Sequence, residues 1–408
     1  MQTVKRKRDR LLEENLCDHC LGRQFAKLGH GLENWERGAI ARRIEDLDGD
    51  SFIRDNIPET AEEGGECGIC NGVFEKLEHW TDLVVNSFRR YELDTFLIGI
   101  RPPPEAVDAE DELWEEYGIE WVEPLKTELS RLIGKRVHDR TGLEVDFKRP
   151  DINAVIEMDE NKDRVELQVN SMLIYGQYNK YSRELPQTVW HCRNCRGGGC
   201  DECDFTGKNY HTSIQEEIQE PFKRETKSIE AKFHGGGRED VDARCFGRRE
   251  FLLELVEPLN RDLDLEQLQE EVNESDMIEV YNIRYGEKDE VEEVKNKHAD
   301  KMYRADVELS EEVEKDDLEV LEKLKGVVEQ RTPQRVEHRR ADKVRKREVH
   351  RVYWEKKDEG LELVIKAEAG TYIKELISGD DGRAEPSVSG LLGVEAVCTA
   401  LDVVDIEK

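Results

Sequence analysis

Cysteine spacing is the feature that most restricts what this 408-residue chain can fold into. Eight of its ten cysteines form four Cys-x-x-Cys pairs, and this spacing lets two thiolates bind one tetrahedral metal ion. Because no secretory signal is recognisable, we expect metal ligands rather than disulfides. The pairs are Cys17 and Cys20, Cys67 and Cys70, Cys192 and Cys195, and Cys200 and Cys203.

The two later pairs lie close together in CRNCRGGGCDEC, where three glycines permit the tight backbone that a short connection needs. The two earlier pairs are far apart, and they share one ion only if the helical stretch between them folds back. Four thiolates leave no position for water or substrate. We therefore predict structural zinc, about two ions in all, with no part in catalysis.

Charge is the second restriction. The net charge of −32 is spread along every segment, as in a protein adapted to molar salt, where the Debye length is only about 3 Å. One basic run stands out at 331–351, with nine Arg or Lys against three Asp or Glu. A solvated surface is one interpretation of this run, but we favour phosphate contact by Arg335, Arg339 and Arg340.

The remaining patterns describe a modular chain of mixed α/β (α+β) class. Helices and strands alternate over about 73–190, and the chain beyond about 220 is rich in strands. The basic start KRKRDR leads into LLEENL without the apolar stretch of a signal peptide, and no run reaches ~18 apolar residues. We expect a cytoplasmic protein that does not enter a membrane.

The segment HGGGREDVDARC carries an unusual row of charges. Read as a strand over 238–245, it places Arg238, Asp240, Asp242 and Arg244 on one face and apolar side chains on the other. The preceding glycines allow a ligand to come close to the backbone. The alternative, purely structural interpretation is a surface strand whose charges pair with one another.

These motifs together resemble a known family. GREDVDARCFG, TPQRVEHRRAD and AGTYIKELISGDDGRAEPSVSGLL are similar to segments of the archaeal-type tRNA pseudouridine synthases that modify uridines 54 and 55 of the TΨC arm. LCDHCLGRQFAKLGHGLENWERG, TGLEVDFKRPDI and LQVNSMLIYGQY resemble the zinc-bearing, THUMP-containing half of the same family. The resemblance covers essentially the whole chain.

The resemblance implies a domain order. It places a helical zinc-knuckle segment at 1–72, a THUMP-like RNA-binding domain at 73–190, a second zinc knuckle at 191–215 and a pseudouridine synthase domain with a mixed sheet at 216–408. The expected partner is tRNA, bound at the TΨC arm, elbow and acceptor stem. No organic or nucleotide cofactor is implied.

The resemblance also assigns site residues. It gives the catalytic carboxylate to Asp240, the active-site tyrosine to Tyr303, and the cation that pairs with the carboxylate to Lys374, where the family has arginine. Arg238 and Arg244 are expected to contact substrate, and Leu391 is expected against the target base, although it can equally be a core residue. Asp242 is expected to be structural and to pair with Arg244 or Arg238.

Two alternatives remain at this point. A tRNA methyltransferase or thiolase with a similar RNA-binding half would need a glycine loop for its cofactor, and no GxGxxG follows a strand here. A non-catalytic, zinc-dependent RNA-binding or chaperone-like module is the second alternative, and it is suggested by the glycine-rich zinc pattern CRNCRGGGCDEC. The sequence leaves open whether uridine 54, uridine 55 or both are modified.

Overall fold

The computed structural model describes residues 4–58, 67–158, 164–358 and 360–407. The chain divides into two compact units, unit 1 with Met1–Asn170 and Leu259–Arg261, and unit 2 with Ser171–Pro258 and Asp262–Lys408. Both units combine helices with a sheet, and this confirms the predicted α/β (α+β) class. None of the helices in the described part of the chain has the length and apolar character that crossing a bilayer requires.

Unit 1 packs helices against a small sheet of strand order β2-β1-β3-β4. Its elements are α1 (Val4–Leu11), α2 (Asp18–Gly22), α3 (Asn34–Arg43), α4 (Leu77–Phe88), β1 (Thr95–Arg101), α5 (Pro104–Tyr117), α6 (Leu125–Thr141), β2 (Glu144–Val145), β3 (Ile152–Glu157) and β4 (Arg164–Val169). Helix α6 shows why the layer forms: Leu129, Ile133 and Val137 recur every four residues and are buried. It ends at Gly142, which has φ +75°.

Unit 2 is built on a ten-stranded sheet of order β13-β10-β11-β12-β9-β14-β7-β5-β8, with β6 also beside β7. Its elements are β5 (Met172–Lys180), α7 (Ile214–Thr226), β6 (Glu230–Gly235), β7 (Ala243–Val256), α8 (Leu265–Val272), β8 (Ile278–Tyr285), α9 (Glu290–Asn296), β9 (Lys301–Leu309), β10 (Gly326–Arg331), β11 (Val344–Lys356), β12 (Leu361–Ala367), α10 (Ile373–Ser378), β13 (Ala384–Glu385), α11 (Val388–Leu392) and β14 (Ala396–Ile406).

Two hydrophobic clusters cover one face of this large sheet. In one, α7 and α8 pack on β5, β7 and β8; in the other, α10 and α11 pack on β9, β12 and β14. Strand β7 borders both clusters, and its first residues pair in parallel with β14. The chain that leads into β7 therefore lies where the two clusters meet.

The expected strand over 238–245 is wrong in its first half. Residues 236–242 form a loop, and β7 begins only at Ala243. The amide of Ala243 donates to the carbonyl of Asp240 at 3.1 Å, which closes a turn. Alternating polarity suggested a strand, but side chains described below, rather than a neighbouring strand, hold the carbonyls of this segment.

The division into units also differs from the boundary at 190 that we drew from the sequence. RVELQVNSMLIYGQYNKY contains two strands that enter different sheets, since β4 pairs with β3 in unit 1 and β5 pairs with β7 in unit 2. Strand β4 alternates between exposed and partly buried residues, whereas β5 is buried along almost its whole length. Only Asn170 and Ser171 separate the two strands, so the sequence did not show that they join different sheets.

Candidate active site

A cleft of about 550 Å³ opens in unit 2 beside the 236–242 loop. Apolar side chains of the central strands form one wall, including Ala243, Leu401 and Val403. The segment 369–374, before and within α10, and the 3-10 helix Gln334–Arg339 contribute the other walls. The cleft therefore lies at the junction of the two hydrophobic clusters.

Glycines bring the loop close to its neighbours. A Cβ atom on Gly235 would lie 2.8 Å from Nε2 of Gln187, and Gly237 adopts φ +73°. The same Gln187 amide donates to the carbonyl of Gly237 at 2.7 Å. The run HGGG thus serves a close backbone approach and a left-handed turn, both of which favour glycine.

Lys180 anchors the loop from beneath. Its side chain is fully buried at the end of β5, and Nζ donates to the carbonyls of Leu185 (2.9 Å), Asp240 (3.1 Å) and Val241 (2.7 Å). Burial lowers the pKa of this ammonium group. Three carbonyl acceptors compensate for its desolvation, and the backbone of Asp240 is held as a result.

A buried ion pair supports the other side of the loop. Nε of Arg249 lies 2.8 Å from Oε2 of Glu239, and both side chains are about 1% exposed. Arg249 also donates to the carbonyl of Gly236 at 3.0 Å. Burial works to lower the pKa of Arg249, but the charge of Glu239 raises it above its ordinary value. The residues on either side of Asp240 are therefore both held: Glu239 by Arg249, and Val241 by Lys180.

Asp240 lies in the cleft between two cations. Arg335 contacts its two carboxylate oxygens at 3.1 and 3.0 Å, and Nζ of Lys374 lies 3.7 Å from Oδ2. Nε of Arg335 also donates to buried Glu375 at 2.7 Å. Arg335 therefore belongs to the immediate surroundings of Asp240. Its expected contact with the RNA backbone stays a prediction.

Asp242 is the closer partner of Lys374. Its two oxygens accept from Nζ of Lys374 at 2.7 and 2.6 Å, and its side chain is 64% exposed. Burial works to raise the pKa of Asp242, but the hydrogen bond and charge of Lys374 hold it below its ordinary value. The expected pairing of Asp242 with Arg244 is wrong, because Arg244 binds Asp402.

Tyr303 lines the cleft from β9 and is 8% exposed. Burial raises the pKa of its phenol to about 12, although the charge of Arg249 opposes this. Lys301, two residues earlier on the same face of β9, also lines the cleft. Burial, with the charge of Arg249 added, lowers the pKa of Lys301 to about 8.

Further cations surround the opening. Arg238 and Arg340 line the cleft, with Lys295 and Lys297 beside them. Arg340 donates to the phenol oxygen of Tyr372 at 3.0 Å. The side chain of Arg339 lies outside the described residues, although its backbone ends the 3-10 helix. A cleft with this lining attracts an anionic ligand.

Leu391 lies elsewhere. It lines a separate cavity of about 1110 Å³ with Pro386, Ser389 and Gly390, and it packs on the cluster under α10. The apolar wall of the cleft comes from Leu401 and Val403 instead.

The sequence analysis missed Lys180, Glu239, Arg249, Lys301 and Glu375. Lys180 had a signal, because alternation along β5 puts this lysine on the same face as Ile174 and Tyr178, which are buried. A lysine in an apolar row indicates a specific partner. Glu375 had none, since its partner Arg335 is 40 residues away.

The eight paired cysteines form two separate clusters. Cys17, Cys20, Cys67 and Cys70 place their sulfurs within 4.8 Å of one another, and so do Cys192, Cys195, Cys200 and Cys203. The contacts include Cys17 to Cys70 at 3.6 Å and Cys195 to Cys203 at 3.8 Å. Sulfurs bound to one tetrahedral ion at 2.3 Å lie about 3.8 Å apart, so both clusters fit such an ion. The two earlier Cys-x-x-Cys pairs, which are far apart in sequence, therefore come together in the structure.

Family models match both units of the chain. A model described as Pus10, C-terminal, matches residues 173–407, and one described as the archaeal THUMP domain of Pus10 matches residues 80–157. The first covers more than half of the chain. The chain belongs to the Pus10 family. The predicted family and its THUMP domain are confirmed.

Curated relatives in the Pus10 family are similar over their whole length. The tRNA pseudouridine synthase Pus10 of Methanothermobacter marburgensis is 41% identical, over 97% of this chain and 96% of its own. Those of Halorubrum lacusprofundi and Methanopyrus kandleri are 41% and 39% identical, covering 96% and 98% of this chain, and 93% and 98% of their own. The predicted enzyme class is confirmed by these relatives.

Solved structures give a much weaker likeness. A Cbf5–Nop10–Gar1 complex contains a chain that is 18% identical, with a TM-score of 0.30, covering 55% of this chain and 47% of that one. This is too remote to assign any residue.

Proposed function

We propose that the protein isomerises uridine to pseudouridine in tRNA, with Asp240 as the catalytic carboxylate. The observation that carries this proposal is the position of Asp240, in a cleft lined by cations and between Arg335 and Lys374. The names of the curated Pus10 relatives supply the reaction class.

The reaction breaks the C1′–N1 bond, turns the uracil and joins C5 to C1′, without net oxidation or hydrolysis. A carboxylate can act on the ribose or base only while it is ionised. Arg335 and Lys374 both lie against the Asp240 oxygens that would carry out this step. Lys180 and the Glu239–Arg249 pair hold the loop, so that the Asp240 oxygens need not be reorganised during the reaction.

The target uridine must leave its stack to reach Asp240, which costs a few kcal/mol. Tyr303 offers an aromatic ring in the cleft, and stacking on such a ring can return about 1–3 kcal/mol. Its phenol, which stays protonated at neutral pH, is also available near the base. Val403, the cross-strand neighbour of Tyr303, and Leu401 give the same wall of the cleft an apolar surface.

The substrate part of the proposal is uridine 54, uridine 55 or both in the TΨC arm, with the elbow and acceptor stem as further contacts. It rests on the resemblance of the motifs and on the archaeal THUMP match. We further propose that each of the two cysteine clusters binds one Zn²⁺. Four thiolates per site fit structural zinc, which stabilises the fold and takes no part in the isomerisation.

Tritium release from a tRNA transcript labelled at C5 of uridine tests the reaction, because C5 loses its hydrogen when it bonds to C1′. We expect release by the purified protein without any added cofactor. Transcripts in which cytidine replaces uridine 54 or uridine 55 identify the position. Absence of release from every transcript in a folded, tRNA-binding protein would contradict the proposed reaction and favour a non-catalytic RNA-binding role.

A further inference from the structure

Three arginines converge on one carboxylate in the middle of the large sheet. The register places Arg304 of β9, Asp402 of β14 and Arg244 of β7 side by side in one row across three strands. Asp402 accepts from Arg304 at 2.9 Å and from Arg244 at 3.0 and 2.9 Å. Arg183 is the third arginine, and it donates to Asp402 at 2.6 Å. The Asp402 side chain is 4% exposed, whereas those of the arginines are 32–43% exposed.

Aromatic rings continue this row along β7. The guanidinium of Arg244 lies 5.3 Å from the ring centre of Phe246, which lies 5.7 Å from the ring of Tyr181. The phenol oxygens of Tyr181 and Tyr281 are 3.5 Å apart, and exposed Arg248 lies over the ring of Tyr281 at 4.2 Å. We call Arg183, Arg244, Arg248, Arg304, Phe246 and Tyr181 the arginine–aromatic strip.

The strip is separate from the catalytic cleft. Tyr303, Leu401 and Val403 line the cleft, and side chains alternate along a strand, so Arg304 and Asp402 point to the opposite face of the sheet. The two surfaces meet at one point. Arg183 donates to the carbonyl of Asp242 at 2.9 Å, at the end of the 236–242 loop.

A purely structural role does not require this composition. Two cross-strand arginines already satisfy Asp402, and a third adds positive charge. Across the strip, four arginines meet three carboxylates, those of Asp402, Glu279 and Asp306, in a chain of net charge −32. Guanidinium groups interleaved with aromatic rings are suited to phosphates and to unpaired bases.

We propose that the arginine–aromatic strip binds RNA, with its arginines on backbone phosphates and Phe246 or Tyr181 against an unpaired base. The inference rests on the proposed function, since it assigns a second contact to the same RNA substrate. Because the strip begins at the 236–242 loop, an RNA strand that leaves the cleft can continue around Arg183 onto the opposite face of the sheet. The strip thereby helps to position the RNA without touching the reacting atoms.

The test is the affinity of the full-length protein for an unmodified tRNA transcript over a range of salt concentrations. Arg248→Gln removes a strip cation that does not bind Asp402, and Arg304→Gln removes one that does. Each is expected to raise Kd about 3- to 10-fold and to reduce the salt slope by about 0.7, the value for one lost phosphate contact. Arg224→Gln is the matched control, because Arg224 is an exposed, ion-paired arginine on α7, away from the strip.

Two further measurements separate the possible outcomes. Light scattering shows whether Arg248→Gln changes the oligomeric state instead of the RNA affinity, which would make the strip a contact between copies and overturn the proposal. Unchanged Kd and slope in both variants, with normal tritium release by the wild type, would overturn the strip alone. No tRNA binding and no tritium release by the wild type would overturn the proposed function and the strip together.

Discussion

Substitution of the two loop aspartates is the sharpest test of the site. Asp240→Asn keeps the shape of the side chain but removes the ionised oxygen between Arg335 and Lys374. We expect the rate to fall at least about 10³-fold, in the upper range for a positioned acid or base. Asp242→Asn is the matched control, because Asp242 lies in the same loop and shares the Lys374 partner.

Stability should change little in either variant. The side chain of Asp240 is 32% exposed and that of Asp242 is 64% exposed, and exposed ion pairs contribute about 0.2–1 kcal/mol. A loss of unfolding free energy of at most about 1 kcal/mol lowers Tm by at most about 2–4 °C for a domain of this size. If the whole of this free energy were lost from the transition state, Asp242→Asn would slow the reaction by about 5-fold at most.

The assays are single-turnover tritium release, tRNA binding and thermal unfolding of both variants beside the wild type. Asp240→Asn should bind tRNA as well as the wild type or more tightly, since it removes a negative charge from a cationic cleft. Substantial turnover by Asp240→Asn would refute the assignment. A folded Asp242→Asn protein without any turnover would transfer the catalytic role to Asp242.

Three further outcomes are expected. Lys180→Met removes a donor from three carbonyls, of which that of Asp240 keeps the Ala243 amide. Turnover should fall at least about 10-fold and Tm by several degrees, since each unsatisfied group costs about 1–3 kcal/mol. Exposed Lys232→Met is the control, and normal turnover in Lys180→Met would contradict the anchoring role. Burial works to raise the pKa of Asp402, but Arg244 and Arg304 hold it at about 2. The stabilisation from this carboxylate is therefore present above pH ~4 and lost as the pH falls through about 2. Asp402→Asn should cost about 2 kcal/mol or more in urea unfolding at pH 7 and progressively less towards pH 2, and a loss independent of pH would contradict this. Metal analysis should find about two Zn²⁺ per chain in the wild type and in Cys398→Ser, but about one in Cys192→Ser; an unchanged count in Cys192→Ser would refute zinc binding at the later cluster.

Features set by residues close in sequence were predictable. The spacing of Cys192, Cys195, Cys200 and Cys203 contains the whole ligand set, and the structure brings these sulfurs together. Asp240 and Tyr303 lie in the same cleft. They could be chosen from the sequence because the motifs that carry them were recognised. The pairing of Arg335 with Asp240 was not predictable, because a basic run does not reveal that one of its members turns toward an aspartate 95 residues away.

The acidic composition and the cationic cleft are compatible on physical grounds. Eight Arg or Lys residues line the cleft against two carboxylates, Glu239 and Asp240, whereas the chain as a whole carries −32. If the protein works near molar salt, the bulk charge is screened beyond about 3 Å, and only groups in direct contact with the ligand affect binding. Arg335 and Lys374 meet this condition with Asp240, and the rim cations can meet it with phosphates. The net charge is therefore a poor guide to the ligand of this protein, and the cations arranged around Asp240 are a better one.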